Sequence, residues 1–227
     1  TGVLDSRMHM YCNHCQAVPS LIGQVIPEPL FDEAGYRRTI LEPIARDIRK
    51  RDPDGVMQVD FLNARGAIAR FDRGSIELRV MDVQEYPGAD VAICAAVIAV
   101  VRALYQERWG SRERQQSLTT EQLRRILDAT ISRAESAVIA DTEWLGCLGI
   151  DRQQVRAGRV WELLLDRLRP DDAALDNLFA PLELILDKGC LATRICAALG
   201  NRFSIASIRD VYRDLVDSLQ AWQPFHP

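Results

Sequence analysis

Lysine is nearly missing from this chain. It occurs only at Lys50 and Lys188 among 28 basic residues, so arginine, whose planar fork grips carboxylates and phosphates two-pronged, carries the positive charge. That bias reads first as the habit of a GC-rich genome and second as chemistry. Positive charge is also short overall, because 32 acidic residues leave a net charge of −4. Without a basic tail or excess, the chain is a poor candidate for nucleic-acid binding by bulk electrostatics, and no nucleic-acid partner is expected. An anionic ligand then needs a local basic cluster, a metal, or both. Long apolar runs are missing too. The longest, residues 91–101, is 11 residues, too short to span a bilayer, and reads as a buried helix rather than a membrane segment. No disulfide framework is visible in Cys12, Cys15, Cys94, Cys147, Cys190 and Cys196. Cys94 and Cys196 lie in apolar helical stretches and are expected to be buried, and the set fits a reducing, cytoplasmic setting. Internal repeats and low-complexity segments are absent as well, and the sequence opens on Thr1-Gly2-Val3-Leu4-Asp5 with neither a Met nor a signal-peptide pattern. The chain is expected to be a piece of something longer.

What is present is ordinary for a globular protein: 227 residues, 48% apolar and 26% charged, enough for a real core. From Asp32, Tyr36, Ile40, Ile44 and Ile48 recur every four residues, a helical pattern that Pro43 should kink or split. The period then changes. Met57, Val59 and Phe61 alternate with polar residues and predict a strand. Residues 66–71 and 75–82 predict two more, joined by a turn at Asp72-Arg73-Gly74. In the last, Glu77 and Arg79 share one face and Ile76, Leu78 and Val80 the other. After Pro87-Gly88 the pattern is helical throughout, with Asp90 as a cap for 91–106, Thr119 and Gln122 as a capping box for a helix to about 140, and helices near 153–168, 172–187, 190–199 and 204–222 capped by Ser204. A short antiparallel β unit followed by a helical C-terminal half is α+β.

Residues 63–82 carry the chemistry. They hold Arg65, Arg70, Arg73 and Arg79 against only Asp72, Glu77 and Asp82. A carboxylate beside an Arg on a sheet face suits a divalent metal with a phosphate, since Mg²⁺ takes hard oxygens and keeps substrate phosphates in its shell while Arg neutralises the phosphate. The plainer alternative is a solvated sheet face with cross-strand ion pairs.

Here the sequence resembles a known family. Arg65 and Arg70, spaced by five, precede Ser75-Ile76-Glu77-Leu78-Arg79-Val80-Met81-Asp82 and the Ala-rich helix at 91–103. This order is similar to the Arg-bearing strands of the glutamine synthetase superfamily. The runs Ile22-Gly23-Gln24-Val25-Ile26-Pro27-Glu28 and Asn63-Ala64-Arg65-Gly66 resemble its bacterial carboxylate–amine ligase branch, glutamate–cysteine ligase family 2, more closely. The likeness covers most of residues 1–105 and is weaker beyond, where residues 184–192 fit best. It implies part of a glutamine synthetase-like antiparallel sheet at 1–106, the C-terminal part of a catalytic domain, with a helical region packed on it at 107–227. It implies an ATP-dependent ligase that joins the glutamate γ-carboxylate to an amine, cysteine above all, through an acyl phosphate. Glu77 would hold Mg²⁺, Arg79 the γ-phosphate or acyl phosphate, Arg65 and Arg70 further phosphate oxygens, and Arg7 the amino-acid substrate. Ser75 departs from the pattern by replacing an Arg, a charge that Arg73 would have to supply. The family's E-x-E strand is not present in residues 1–60, so the chain is expected to be the C-terminal portion of a longer ligase whose N-terminal half completes the site.

The competing reading is a non-catalytic helical interaction or zinc-binding module on the same scaffold. Cys12-Asn13-His14-Cys15, with His9 nearby, is half of a zinc ligand set. Trp109, Trp144, Trp161 and Trp222 read as core. The stripe Ile208, Tyr212, Leu215 and Leu219 reads as ordinary helix packing, with an interface between copies, and so a homo-oligomer, as the second reading.

Overall fold

The computed structural model describes residues 3–201 and 203–227. They form two compact units. The first comprises Ser6–Met81 and Leu118–Asp128. It opens with α1 (Ser6–Tyr11). Asp32 then accepts the Gly35 N–H at 2.7 Å and caps α2 (Glu33–Tyr36). The chain runs on through a π turn, Arg37–Leu41, into α3 (Glu42–Ile48). Pro43 has no N–H to give, and the widened turn just ahead of it absorbs the missing bond without breaking the helix. Tyr36, Ile40 and Ile44 form the core here, with Leu21, Leu30, Val59 and Leu62 packed against them.

The strand expected at 57–61 is not formed. Asp52 accepts the N–H groups of Val56 and Met57 at 3.0 and 2.6 Å, which curls the chain, and α4 (Val59–Leu62) follows. Val59 and Leu62, three apart, reach the core while Met57 and Phe61 are exposed. The helical period wins because the alternation spans too few residues to decide it. The two later strands are formed. β1 (Ala67–Arg70) pairs antiparallel with β2 (Ser75–Leu78), Ala67 opposite Leu78 and Arg70 opposite Ser75. Gly74 closes the turn at φ +59°, where a side chain would be strained. The second strand is shorter than expected, although the Arg79 N–H still donates to the Gly66 carbonyl at 2.9 Å.

The second unit comprises Asp82–Ser117 and Ala129–Pro227, with a short stretch ending at Asp5. Its elements, in order, are α5 (Pro87–Tyr105), α6 (Arg112–Gln116), α7 (Thr120–Arg133, whose start belongs to the first unit), β3 (Val138–Ile139), α8 (Thr142–Cys147) and β4 (Val155–Arg156). Then come α9 (Ala157–Leu168), α10 (Ala173–Asn177), α11 (Phe179–Lys188), α12 (Leu191–Leu199) and α13 (Ile205–Ala221). β3 and β4 form a second two-stranded antiparallel ladder. The fold is α+β, as the pattern indicates, with a mostly helical C-terminal region. The break in compactness falls after Met81, so the helix that follows the hairpin groups with the helical remainder, whereas the sequence division at 106 kept it with the strands.

Several local expectations change. Asp90 does not cap its helix, which begins at Pro87; its carboxylate accepts the Gln84 N–H instead, at 2.9 Å. Thr119 and Gln122 do form the reciprocal box, but α7 stops at Arg133 and Val138 joins β3. α5 buries an alanine face, Ala89, Ala92, Ala96, Ala99 and Ala103, against α9, α10 and α11. Its other face, Val91, Cys94, Ile98, Val101 and Tyr105, is exposed, so Cys94 is not a core residue. At 19 residues and mean hydropathy 1.8, α5 is long and apolar enough to cross a membrane by length and composition, longer than the 11-residue run suggested. A core helix passes the same test; here a third of the apolar window is buried, through the packed alanine face. Trp161 and Trp222 are exposed rather than core.

Candidate active site

The polar face of the hairpin is the inward one. Ile68, Arg70, Ser75, Glu77 and Arg79 share it, and Ile68 and Arg70 are buried, while the apolar Ile76 and Leu78 face outward and are exposed. Arg70 stands opposite Ser75, so Glu77, two residues on, is its diagonal neighbour on the same face. The Arg70 Nη1–H donates to Glu77 Oε2 at 3.0 Å, and Nε and Nη2 grip the Asp72 carboxylate at 3.1 and 3.0 Å. The Phe61 ring lies 5.3 Å from the Arg70 guanidinium carbon, within range of a cation–π contact.

Glu77 is shared. Its Oε1 accepts from Arg79 Nε at 2.9 Å. The Arg70 hydrogen bond, reinforced by Arg79, holds its carboxyl below the usual glutamate range, against the opposing effect of burial. The side chain is nonetheless 37% exposed, and each oxygen keeps a lone pair beyond its Arg bond. Arg79 is anchored from behind as well, with Nη1 donating to the Asn63 carbonyl at 2.7 Å. Glu77 and Asn63 thus fix Nε and Nη1, while Nη2 makes no hydrogen bond among the described residues, on a side chain 20% exposed.

Arg7, on α1, donates from Nη2 to the Val80 carbonyl at 2.7 Å. One turn on, Tyr11 donates its hydroxyl to the Ala64 carbonyl at 2.9 Å. Tyr11 thus holds the residue after Asn63, the anchor of Arg79, and Arg7 holds the residue after Arg79 itself, so the three side chains share one neighbourhood; burial pushes the Tyr11 phenol up, and Arg79 and Arg7 pull it back.

Arg65 is placed differently. Its side chain is 4% exposed, and Nε and Nη2 form a fork on Glu28, both bonds 2.6 Å. Nη1 donates to the Ser20 carbonyl and to Asn63 Oδ1. Asn63 in turn donates to the Tyr36 hydroxyl at 2.8 Å, which accepts the Ala69 N–H of β1. Arg65 therefore meets Arg79 only through Asn63. Arg70, Glu77, Arg79 and Arg7 are brought together; Arg65 stands one residue behind them. Arg73 lies outside, on the turn, 3.5 Å from Asp72.

Sequence reasoning gave no site role to Glu28, Asn63, Tyr11 or Tyr36, although Glu28 and Asn63 lie in the runs that carry the resemblance and Tyr36 opens the helical repeat. For Tyr11 the available signal was its four-residue spacing from Arg7, which puts both on one side of a helix. Among the described residues no three of His, Cys, Asp and Glu stand close enough to hold a metal, and so the Cys12 and Cys15 half-set is not completed into a zinc ligand set. Mg²⁺ makes a smaller demand, since one or two carboxylates suffice when phosphates fill the shell. Glu77, ionised and partly exposed, fits as one such ligand.

These features define an arginine-lined hairpin face with one shared carboxylate, Glu77. Residues 1–214 match the model of glutamate-cysteine ligase family 2 (GCS2), and the chain belongs to that family. An uncharacterized protein of Archaeoglobus fulgidus is 36% identical over 104 residues, covering 46% of this chain and 28% of that protein. The chain thus matches less than a third of the length of this relative. No solved structure matches it.

Proposed function

We propose that this chain carries part of the phosphoryl-handling site of an ATP-dependent ligase that joins the γ-carboxylate of glutamate to an amine, cysteine first among candidates. The observation that supports it is the Arg70–Glu77–Arg79 chain of ion pairs, in which Arg79 Nη2 makes no hydrogen bond among the described residues. In the proposed reaction the glutamate γ-carboxylate oxygen attacks the γ-phosphorus of ATP. The bond to the ADP oxygen breaks and an acyl phosphate forms. The amine then attacks the acyl carbon, inorganic phosphate leaves with the bonding pair, and the amine proton passes to solvent.

Arg79 offers Nη2–H to an oxygen of the phosphoryl group, held in place by Glu77 and the Asn63 carbonyl. Arg70 adds positive charge from the same face and keeps Glu77 ionised. Such fixed cations act where charge develops and cost no reorganisation during the reaction. Bound Mg²⁺ would neutralise phosphate oxygens, with Glu77 as its ligand from this chain. Arg7 and Tyr11 flank Arg79 and suit the carboxylate of an amino-acid substrate. The partner this reading requires is the remainder of a family-length ligase, which supplies further metal carboxylates and the nucleotide pocket, and its setting is the cytoplasm.

The test is ADP release by the chain joined to its natural upstream half, with ATP, Mg²⁺ and glutamate, scanning cysteine and other amines. Release that needs glutamate and one amine supports the proposal and names the acceptor. A folded protein that releases ADP with none of them overturns it.

A further inference from the structure

Asn63 is sealed from solvent, and its amide is held at both ends. Oδ1 accepts the Arg65 backbone N–H at 3.3 Å and Arg65 Nη1–H at 3.1 Å, while Nδ2 donates to the Tyr36 hydroxyl at 2.8 Å. Two donors on Oδ1 admit one orientation of the amide, since the flipped group would set NH₂ against N–H. The Tyr36 oxygen also takes the Ala69 N–H of β1 at 3.2 Å, and its buried ring meets Phe71 edge-on at 5.3 Å. Tyr36 therefore ties the Asn63 side chain to both the core and the strand. The Asn63 backbone faces the site. Its carbonyl accepts Arg79 Nη1–H at 2.7 Å, with the Phe61 carbonyl a distant second acceptor at 3.5 Å; the short bond is that of a charged donor. This carbonyl shares one rigid plane with the Ala64 N–H, which donates to the Leu21 carbonyl at 2.7 Å. Leu21 thus holds one edge of the plane and the locked side chain holds its Cα, and the remaining edge meets Arg79.

We propose that Tyr36 and Asn63 are positioning residues for Arg79. The Tyr36 hydroxyl and the Asn63 amide set the plane of the Asn63–Ala64 peptide, and the carbonyl of that peptide sets the Arg79 guanidinium. A buried amide is costly unless fully bonded, and an apolar residue of similar size would fill the space without that cost. What the amide supplies in exchange is direction. Arg79 needs it: the bond from Nε to Glu77 holds the guanidinium at one point only, and the second bond at Nη1 fixes the fork as a whole. The consequence for rate rests on the reading of Arg79 as a phosphoryl contact, since a displacement of about 1 Å in such a group can cost about 10²-fold.

Two measurements test it. The first is nitrogen-15 NMR of the Arg79 guanidinium in the full chain, its signals assigned by their loss in Arg79→Lys. A guanidinium pinned at Nη1 should show Nη1 and Nη2 as separate signals, and in Tyr36→Phe and Asn63→Ala the two should merge. Asn63→Ala leaves Arg65 its Glu28 fork and Ser20 carbonyl, and leaves Tyr36 its bond to Ala69, so it carries the test if Tyr36→Phe does not fold; circular dichroism checks both. The second is ADP release by the chain joined to its natural upstream half. Each variant should lower kcat about 10-fold, with KM for ATP and glutamate held within about twofold. Neither should add more than about twofold to the loss in Arg79→Ala, because the group they position is then gone. Signals already merged in the wild type, signals that stay separate in a folded variant, or losses that multiply with that of Arg79→Ala would each overturn the proposal. Signals that merge while turnover is unchanged support the positioning and remove Arg79 from the reaction, so that the phosphoryl reading fails alone.

Discussion

Arg194 and Glu85 meet in a two-pronged ion pair of 2.6 and 3.2 Å, sealed from solvent, with side chains 0% and 1% exposed. Glu85 also accepts the Phe225 N–H, and Arg194 donates to the Phe225 and Gly189 carbonyls. The pair therefore clamps the end of the chain to the residues that enter α5. Neutralising one partner leaves the other charge buried and unpaired, so Glu85→Gln should cost about 3–5 kcal/mol in a denaturant titration. Replacing both, as Glu85→Leu with Arg194→Met, should recover much of that loss.

The same pair sets an acid limit. Burial pushes the Glu85 carboxyl up, but the Arg194 bonds outweigh it and the net shift is downward. A carboxyl depressed by folding stabilises fully above its unfolded value, about 4.3, and that stabilisation fades as pH falls through the lower folded value. Stability measured from neutral to acid pH should drop across this window, and the drop should shrink in the Leu and Met double variant.

Gly23 guards the Glu28–Arg65 fork. Its φ is +55°, and a Cβ there would come within 2.9 Å of Arg65 Nη2 and 3.1 Å of Glu28 Oε1. Gly23→Ala should cost about 1–2 kcal/mol from backbone strain alone, with crowding of the fork in addition. A Gly74→Ala control, also at positive φ but with open space around it, should show the strain without the crowding. Equal losses in the two would remove the crowding argument.

Arg79 and Arg65 should separate in kinetics. Within the complete enzyme, Arg79→Ala should lower turnover by about 10²–10³-fold with the fold intact. Arg65→Ala should act first on stability, costing about 2–3 kcal/mol, because Glu28 loses its partner. Near-normal turnover in Arg79→Ala would take Arg79 out of the site.

How far the sequence reached depends on range. The α+β class, the hairpin and the Ser204 cap follow from local pattern, and the structure has all three. Residues 57–61 defeated the same logic because five residues fit two periods and Asp52 settled the matter from outside the pattern. On the site, the Arg70–Glu77 pairing is visible once the turn fixes the register. The Glu28–Arg65 fork is not, since 37 residues of chain separate the partners and nothing local announces it. Exposure of α13 and of the far side of α5 is equally illegible, because periodicity marks an apolar face and says nothing of what covers it.

The π turn before Pro43 has an angular consequence. Residues four apart on an ordinary α-helix drift by about 40° at each step, so Tyr36, Ile40, Ile44 and Ile48 would wind away from any one neighbour. The wider turn at Arg37–Leu41 takes up the first of those steps and sets the helix back by a fraction of a turn. A strict four-residue repeat can then keep its contacts in line, and Tyr36 stays aimed at Asn63 and β1. Deleting one residue from that turn would leave the composition of the helix almost untouched and rotate the tyrosine off the strand.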